Sequence, residues 1–209
     1  MALYKTVLVT GASAGFGFAI CEKLASQGYK VIATARRQDK LDALANKYEG
    51  QIFPLKLDVT DTEAVDSILD KLPDEFKNID VLVNNAGLAL GQDKAFTCSL
   101  KDWHTMVNTN IKGLLNITHK LLPLMVKKNK GYIINLGSTA GAWPYTGGNV
   151  YGGTKAFVEQ FSRNLRCDLA GTALKVTVIK PGLCSNTEFS NVRFKGDNEK
   201  AAAVYKDVE

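Results

Sequence analysis

Short, nearly uninterrupted apolar runs alternate along the chain with longer stretches in which apolar residues recur at helical spacing. The runs at residues 5–10, 30–35, 51–57, 79–83, 132–136 and 174–180 read as strands. The periodic stretches at 15–27, 38–47, 61–72, 102–127 and 150–169 read as helices. A strand that is apolar on both faces belongs inside a parallel sheet, because helices must cover both of its sides. Strand-helix alternation with right-handed crossovers therefore predicts an α/β fold with a doubly wound parallel sheet, in a single domain over residues 1–209. Glycines stand at predicted strand ends, at Gly11, Gly87, Gly137 and Gly182. Ligands of such sheets bind beyond the carboxyl ends of the strands, so these small residues predict one shared cleft.

Composition narrows the classes of function. The chain has 209 residues, 45% hydrophobic and 22% charged, which suits one globular core. Its net charge of +5 comes from lysines scattered among acidic residues, a pattern for a solvated surface or for attracting small anions, not for nucleic acid. The apolar runs are strand-sized and the N-terminus has no basic segment before a long apolar core, so neither a membrane span nor a secretion signal is expected. Cys21, Cys98, Cys167 and Cys184 lack C-x-x-C spacing, which argues against a zinc site or redox pair and fits a reducing, cytoplasmic setting. Each reads as a small hydrophobe. His104 and His119 stand alone, as surface or packing residues, so no metal is expected.

The run from Val9 to Gly17 follows the first strand and opens the first helix. Its glycines, Gly11, Gly15 and Gly17, are spaced G-x-x-x-G-x-G, unlike the usual dinucleotide fingerprint G-x-G-x-x-G, but their place between strand and helix suits a pyrophosphate at a helix N-terminus. The fold is thereby expected to be Rossmann-type. NAD-binding domains carry an acidic residue near the end of the second strand to hold the ribose 2′-hydroxyl. This chain has Arg36 and Arg37 there, and a guanidinium pairs with a 2′-phosphate that a carboxylate would repel. Ser13 adds a hydroxyl donor, so NADP(H) is expected over NAD(H). The alternative is that the two arginines merely begin a solvated helix.

Tyr151 and Lys155 are four residues apart, on one face of a predicted helix. An ammonium beside a phenol favours the phenolate and brings its titration closer to neutral pH. The same spacing also arises by chance on solvated helices. Taken with residues 10–17, the Asn-Asn-Ala-Gly run at 84–87 and Ser138, in this order, the pair makes the chain resemble the short-chain dehydrogenase/reductase family over its whole length. More narrowly, residues 137–145, 148–151 and 187–197 resemble the NADP-dependent 3-hydroxy acid dehydrogenases, also described as L-allo-threonine or serine 3-dehydrogenases and as malonic semialdehyde reductases.

The resemblance implies roles. Tyr151 is the base in oxidation and the acid in reduction, Lys155 tunes it and holds the nicotinamide ribose, and Ser138 holds the substrate oxygen. Asn110 keeps a water in a proton path to the lysine. Phe16 belongs to the cofactor loop; Asp58 and Val59 border the adenine; Asn85, Ala86 and Gly87 lie beneath the adenosine ribose. Pro181 and Gly182 approach the nicotinamide, with Thr187 near its amide or the phosphates. Plainer readings remain for three of these: Ser138 in a turn, Asn110 capping or interrupting a helix, Asp58 capping a turn.

A carboxylated substrate needs a cation, and Arg193, on the flap that the resemblance implies, is the candidate for a bidentate clamp; a mobile surface arginine is the alternative. Trp143, Pro144, Tyr145, Gly147 and Gly148 are expected to shape a small pocket, unless the aromatics are core. The chain stops at Glu209, short of the family's last strand and helix, which leaves a sheet edge open. For the full-length form the resemblance implies a homotetramer. The expected function is NADP-dependent hydride transfer at the hydroxyl-bearing carbon of short 3-hydroxy acids such as serine, allo-threonine and 3-hydroxypropionate. A carbonyl reductase for neutral ketones or acyl-carrier substrates, and a non-catalytic NADPH-binding protein, remain open.

Overall fold

In the computed structural model, which describes residues 4–185 and 187–206, six strands form one wholly parallel sheet. They are β1 (Thr6–Thr10), β2 (Lys30–Ala35), β3 (Ile52–Lys56), β4 (Val81–Asn84), β5 (Tyr132–Leu136) and β6 (Lys175–Ile179), in the spatial order β3-β2-β1-β4-β5-β6. This is the expected doubly wound, Rossmann-type order. The one pairing between strands not consecutive in sequence is β1 with β4, where Val7 faces Val81 and Val9 faces Val83. Beyond the ends of these two strands the chain departs in opposite directions, which opens a crevice at that point.

The period of two along each strand divides the core into two layers. Leu8, Ile32, Leu82 and Ile133 point to one face, where Ile117, Leu121 and Met125 of α5 (Leu114–Lys127) cover them. Val7, Val9, Val31, Val81 and Val83 point to the other, against Cys21 and Ala25 of α1 (Gly15–Ser26) and Leu41 and Leu44 of α2 (Gln38–Lys47). Each such aliphatic side chain contributes about 1.5–3 kcal/mol by leaving water. Pro54 sits in the edge strand β3, where a missing N–H costs least. The other edge, β6, leaves Ile179 46% exposed.

Two helices are broken where the periodicity predicted continuity. Over 61–72 the chain forms α3 (Thr62–Asp66) and then a 3₁₀ turn at Ile68–Lys71. The Ser67 hydroxyl turns back onto the carbonyls of Glu63 and Ala64, competing with the helical ladder. Over 102–127 the helix begins earlier, as α4 (Leu100–Val107), passes through a π-helical segment at Asn108–Gly113 and resumes as α5. The Asn110 side chain, bonded to a neighbouring loop, is the anchor of that segment, and π-bulges of this kind gather at functional sites.

α6 (Asn149–Asp168) follows β5, and the short helices α7 (Phe189–Arg193) and α8 (Asn198–Ala203) return as a flap over the carboxyl ends of the strands. Of the cysteines expected to be small hydrophobes, only Cys21 is buried. Cys98 is half-buried, and Cys167 and Cys184 are exposed because they lie on a turn, a helix surface and a loop and not on a core-facing position. His104 and His119 are both exposed. No helix among the described residues is long and apolar enough to cross a membrane, and among them no group of three or more His, Cys, Asp or Glu side chains could hold a metal ion.

Candidate active site

An open cleft of about 1560 Å³ lies beyond the carboxyl ends of the strands, between the sheet and the flap. At its floor the turn from β1 to α1 needs glycine. Gly11 and Gly15 have φ of 69° and 54°, in the left-handed region. The residue before α1 is Ala14, which offers no side-chain cap, and the first turn carries no acidic residue. The N–H groups of that turn are thus left for an anion in the cleft. Gly17 is needed for a different reason. A Cβ there would overlap the carbonyl oxygen of Gly11 and the Asn85 amide nitrogen. Gly17→Ala is expected to displace the loop, costing about 1–3 kcal/mol of stability and weakening NADPH binding. Thermal melts with and without NADPH would show both losses; a variant that melts and binds like the parent would refute the packing argument.

Asn85 holds this loop to the sheet. Its amide donates to the carbonyls of Thr10 and Gly11 at 2.8 and 3.2 Å, while the Thr10 hydroxyl accepts from the N–H groups of Asn85 and Ala86. Arg36 and Arg37 are exposed at the end of β2 and line the same cleft. The Arg37 guanidinium donates to the Ser13 hydroxyl at 3.1 and 3.2 Å and to the Glu188 carboxylate at 2.8 Å. Asp58 lines the cleft, and its carboxylate accepts from the N–H and hydroxyl of Thr60, closing the turn after β3.

The other end of the cleft is built on the first turns of α6. Tyr151 and Lys155 are each 8% exposed, and Thr154 between them is 1% exposed. The Tyr151 ring packs on Phe189 of the flap at 5.7 Å between centroids. Lys155 Nζ lies 5.9 Å from the Tyr151 ring centre and donates to the Leu136 carbonyl at 2.7 Å. Burial pushes the Lys155 ammonium down to about 8, since nothing anionic stands beside it. The expected lowering of the Tyr151 phenol is not present in the protein alone. Burial raises it; the Ser138 hydroxyl pulls it down, the Tyr145 phenol opposes this, and the cation that pulls it down is the Arg193 guanidinium. Ser138, half-buried after β5, accepts from the Ala140 N–H at 3.1 Å, so it is a turn residue as well as a cleft residue.

Asn110, expected among the catalytic residues, does not line the cleft. Its side chain is taken up by the N–H and carbonyl of Leu88, both at 2.8 Å, and by the Thr154 hydroxyl at 3.0 Å, which in turn donates to the Tyr151 carbonyl. It therefore acts through its neighbours, fixing α6 against the loop after β4. Gly17 also lies behind the cleft surface. The other residues selected for catalytic, cofactor or substrate roles line it: Gly11, Ser13, Gly15, Phe16, Arg36, Arg37, Asp58, Val59, Asn85, Ala86, Gly87, Ser138, Tyr151, Lys155, Pro181, Gly182, Thr187 and Arg193. Gly147 and Gly148, expected to shape a pocket, do not line it, because Gly147 packs on the Gln92 backbone and Gly148 against the Tyr145 ring.

Arg193 is 6% exposed, which excludes a mobile surface side chain. Its Nε donates to the Gly91 carbonyl at 2.9 Å and one Nη to the Tyr145 hydroxyl at 3.0 Å, with the guanidinium 6.0 Å from the Tyr151 ring centre. One edge of the fork is thus already used, and a carboxylate clamp is left the edge between the two Nη atoms. Trp143 lines the cleft but is 74% exposed, a rim residue and not a wall. Sequence reasoning passed over Thr154 and Glu188. Thr154 lies within the Tyr-Lys spacing and was open to notice; Glu188 meets Arg37 across 151 positions, with no local signal.

A family profile for short chain dehydrogenase matches residues 5–198. The chain is 57% identical over 202 residues to the NADP-dependent 3-hydroxy acid dehydrogenase YdfG of Escherichia coli K12, covering 97% of this chain and 82% of the relative. It is 52% identical over 203 residues to the serine 3-dehydrogenase of Agrobacterium fabrum, covering 97% and 81%. A solved structure described as the closed form of serine dehydrogenase complexed with NADP+ superposes with a TM-score of 0.96 at 56% identity, covering 98% of this chain and 82% of that one. With the profile spanning nearly all of its length and more than half of its residues shared with such relatives, the chain belongs to the short chain dehydrogenase family.

Proposed function

We propose that this chain, as one NADP-binding unit, is an oxidoreductase that transfers hydride between NADP and the hydroxyl-bearing carbon of short 3-hydroxy acids. The observation that carries the reading is the buried cation Arg193 set 6.0 Å from the Tyr151 ring, at the end of a cleft whose other end offers Arg37 and Ser13. The relatives named above, NADP-dependent 3-hydroxy acid and serine dehydrogenases, support it.

The cleft fits NADP by its own features. The uncapped first turn of α1 suits the pyrophosphate, Arg36, Arg37 and Ser13 suit a 2′-phosphate, and Lys155 with Pro181 and Gly182 stands at the nicotinamide end. When bound, the nicotinamide supplies the hydride acceptor or donor. Tyr151 takes the proton of the substrate hydroxyl in oxidation and returns it in reduction. Ser138 holds that oxygen beside the phenol, Arg193 favours the phenolate by charge, and Lys155 holds the nicotinamide ribose. The free edge of Arg193 takes the substrate carboxylate, which an apolar pocket would leave costly to desolvate. Assembly as a homotetramer and a cytoplasmic setting belong to the same reading; Phe96 and Leu100, 83% and 62% exposed, offer apolar surface for assembly.

The test is initial rates of NADP⁺ and NAD⁺ reduction with L-serine, 3-hydroxypropionate and a neutral secondary alcohol, for the parent and for Arg193→Lys. The parent is expected to prefer NADP⁺ and the carboxylated alcohols. Losing the planar fork should raise KM for those alcohols by about 10- to 100-fold, with far less effect on the neutral one. Equal losses on both kinds of alcohol would sink the clamp and favour a reductase of neutral ketones.

A further inference from the structure

We infer that Glu188 is a specificity-determining residue for the cofactor: a flap carboxylate that occupies the 2′-phosphate site and competes with the phosphate for Arg37. The inference rests on the reading of the cleft as an NADP site with Arg37 at the 2′-phosphate. Glu188 immediately precedes α7, and its carboxylate reaches across the cleft to Arg37 Nη2 at 2.8 Å. The same guanidinium nitrogen donates to the Ser13 hydroxyl at 3.1 Å, and Nε donates to it at 3.2 Å. One cation, one hydroxyl and one carboxylate therefore share the position where a second anion is expected. The neighbouring Thr187 stands over the glycine loop, 3.5 Å from where a Gly15 side chain would begin.

The consequence is one of charge. A 2′-phosphate reaching Arg37 must displace the carboxylate from it, and binding is weakened by loss of the existing ion pair. A ribose bearing only a 2′-hydroxyl imposes no such exchange, since a neutral hydroxyl can donate to the carboxylate while the ion pair stays intact. Glu188 thus lowers the preference for the phosphorylated cofactor below what Arg36, Arg37 and Ser13 alone would give. It also makes arrival of the phosphate the event that frees the adenine end of the flap. The pair is about half exposed, which sets its effect in the range of surface ion pairs.

Calorimetric titration of the full chain with 2′,5′-ADP and with 5′-AMP tests this without turnover. Glu188→Gln is expected to bind 2′,5′-ADP about two- to fivefold more tightly at low salt, with 5′-AMP unchanged. In an Arg37→Gln background the gain from Glu188→Gln should vanish. Unchanged or weaker binding of 2′,5′-ADP, an equal gain for 5′-AMP, or a gain that survives in Arg37→Gln each overturns the assignment. Failure of the underlying reading looks different: the parent would then not distinguish 2′,5′-ADP from 5′-AMP, and the inference would fall with it.

Discussion

Tyr151→Phe is expected to lower turnover by about 10²- to 10⁴-fold, the range for losing a positioned acid-base group. The change deletes one oxygen. The ring keeps its packing against Phe189, so the fold should be retained. Because burial holds the phenol above its ordinary value, the base form needed to oxidise an alcohol is scarce at neutral pH and grows as pH rises. Oxidation by the parent should therefore climb with pH through the alkaline range, while reduction, which needs the protonated phenol, should be flat near neutrality and then fall. Rates at saturating substrate in both directions, across pH, give the two profiles. If Tyr151→Phe kept the rising oxidation limb, the phenol could not be the base.

Lys155→Met should be inactive and yet more stable. The ammonium, buried with a single carbonyl partner, titrates at about 8 in the folded chain against an ordinary 10.5. Between those values the unfolded chain binds the proton that the folded chain has released, so stability rises with pH across that window, and the full penalty applies below about 8. A shift of that size corresponds to about 3 kcal/mol. Methionine removes the charge but leaves the Leu136 carbonyl without its donor, a loss of about 1–2 kcal/mol, so a net gain of about 1–2 kcal/mol is expected near pH 7. Denaturant unfolding at pH 7 and above pH 10.5 measures it. The gain should disappear at the higher pH, and a variant less stable than the parent at pH 7 would refute the argument.

Most of the scaffold was legible because each layer of it follows from a local pattern. Apolar runs gave the strands, glycines after them marked the cleft, and arginines at the end of β2 marked its cationic end. What escaped depends on contacts distant in sequence. Asn110 falls within one continuous periodic stretch, where interrupting a helix was an alternative reading, and its bonds to Leu88 and Thr154 decide that the stretch becomes α4, a π-helical segment and α5. The Tyr-Lys spacing placed both residues on one face, but nothing local disclosed that burial would raise the phenol and that Arg193, from the flap, would be the cation lowering it. Glu188 was invisible for the same reason: its partner lies at the opposite end of the chain.

The pairing of β1 with β4 has a bearing on assembly of the molecule. β1, β2 and β3 form one half of the sheet and β4, β5 and β6 the other, each built from neighbours in sequence. Joining Val7 to Val81 closes a longer stretch of chain than any pairing within a half, Val81 to Tyr132 coming next, and longer closures are slower and entropically more costly. Folding in which each half zips first, and the join between them forms last, is the order this topology favours. The Asn85 amide, clasping Thr10 and Gly11 across that join, acts as its fastener. Any ligand laid over the same line holds together the two pieces that were the last to meet.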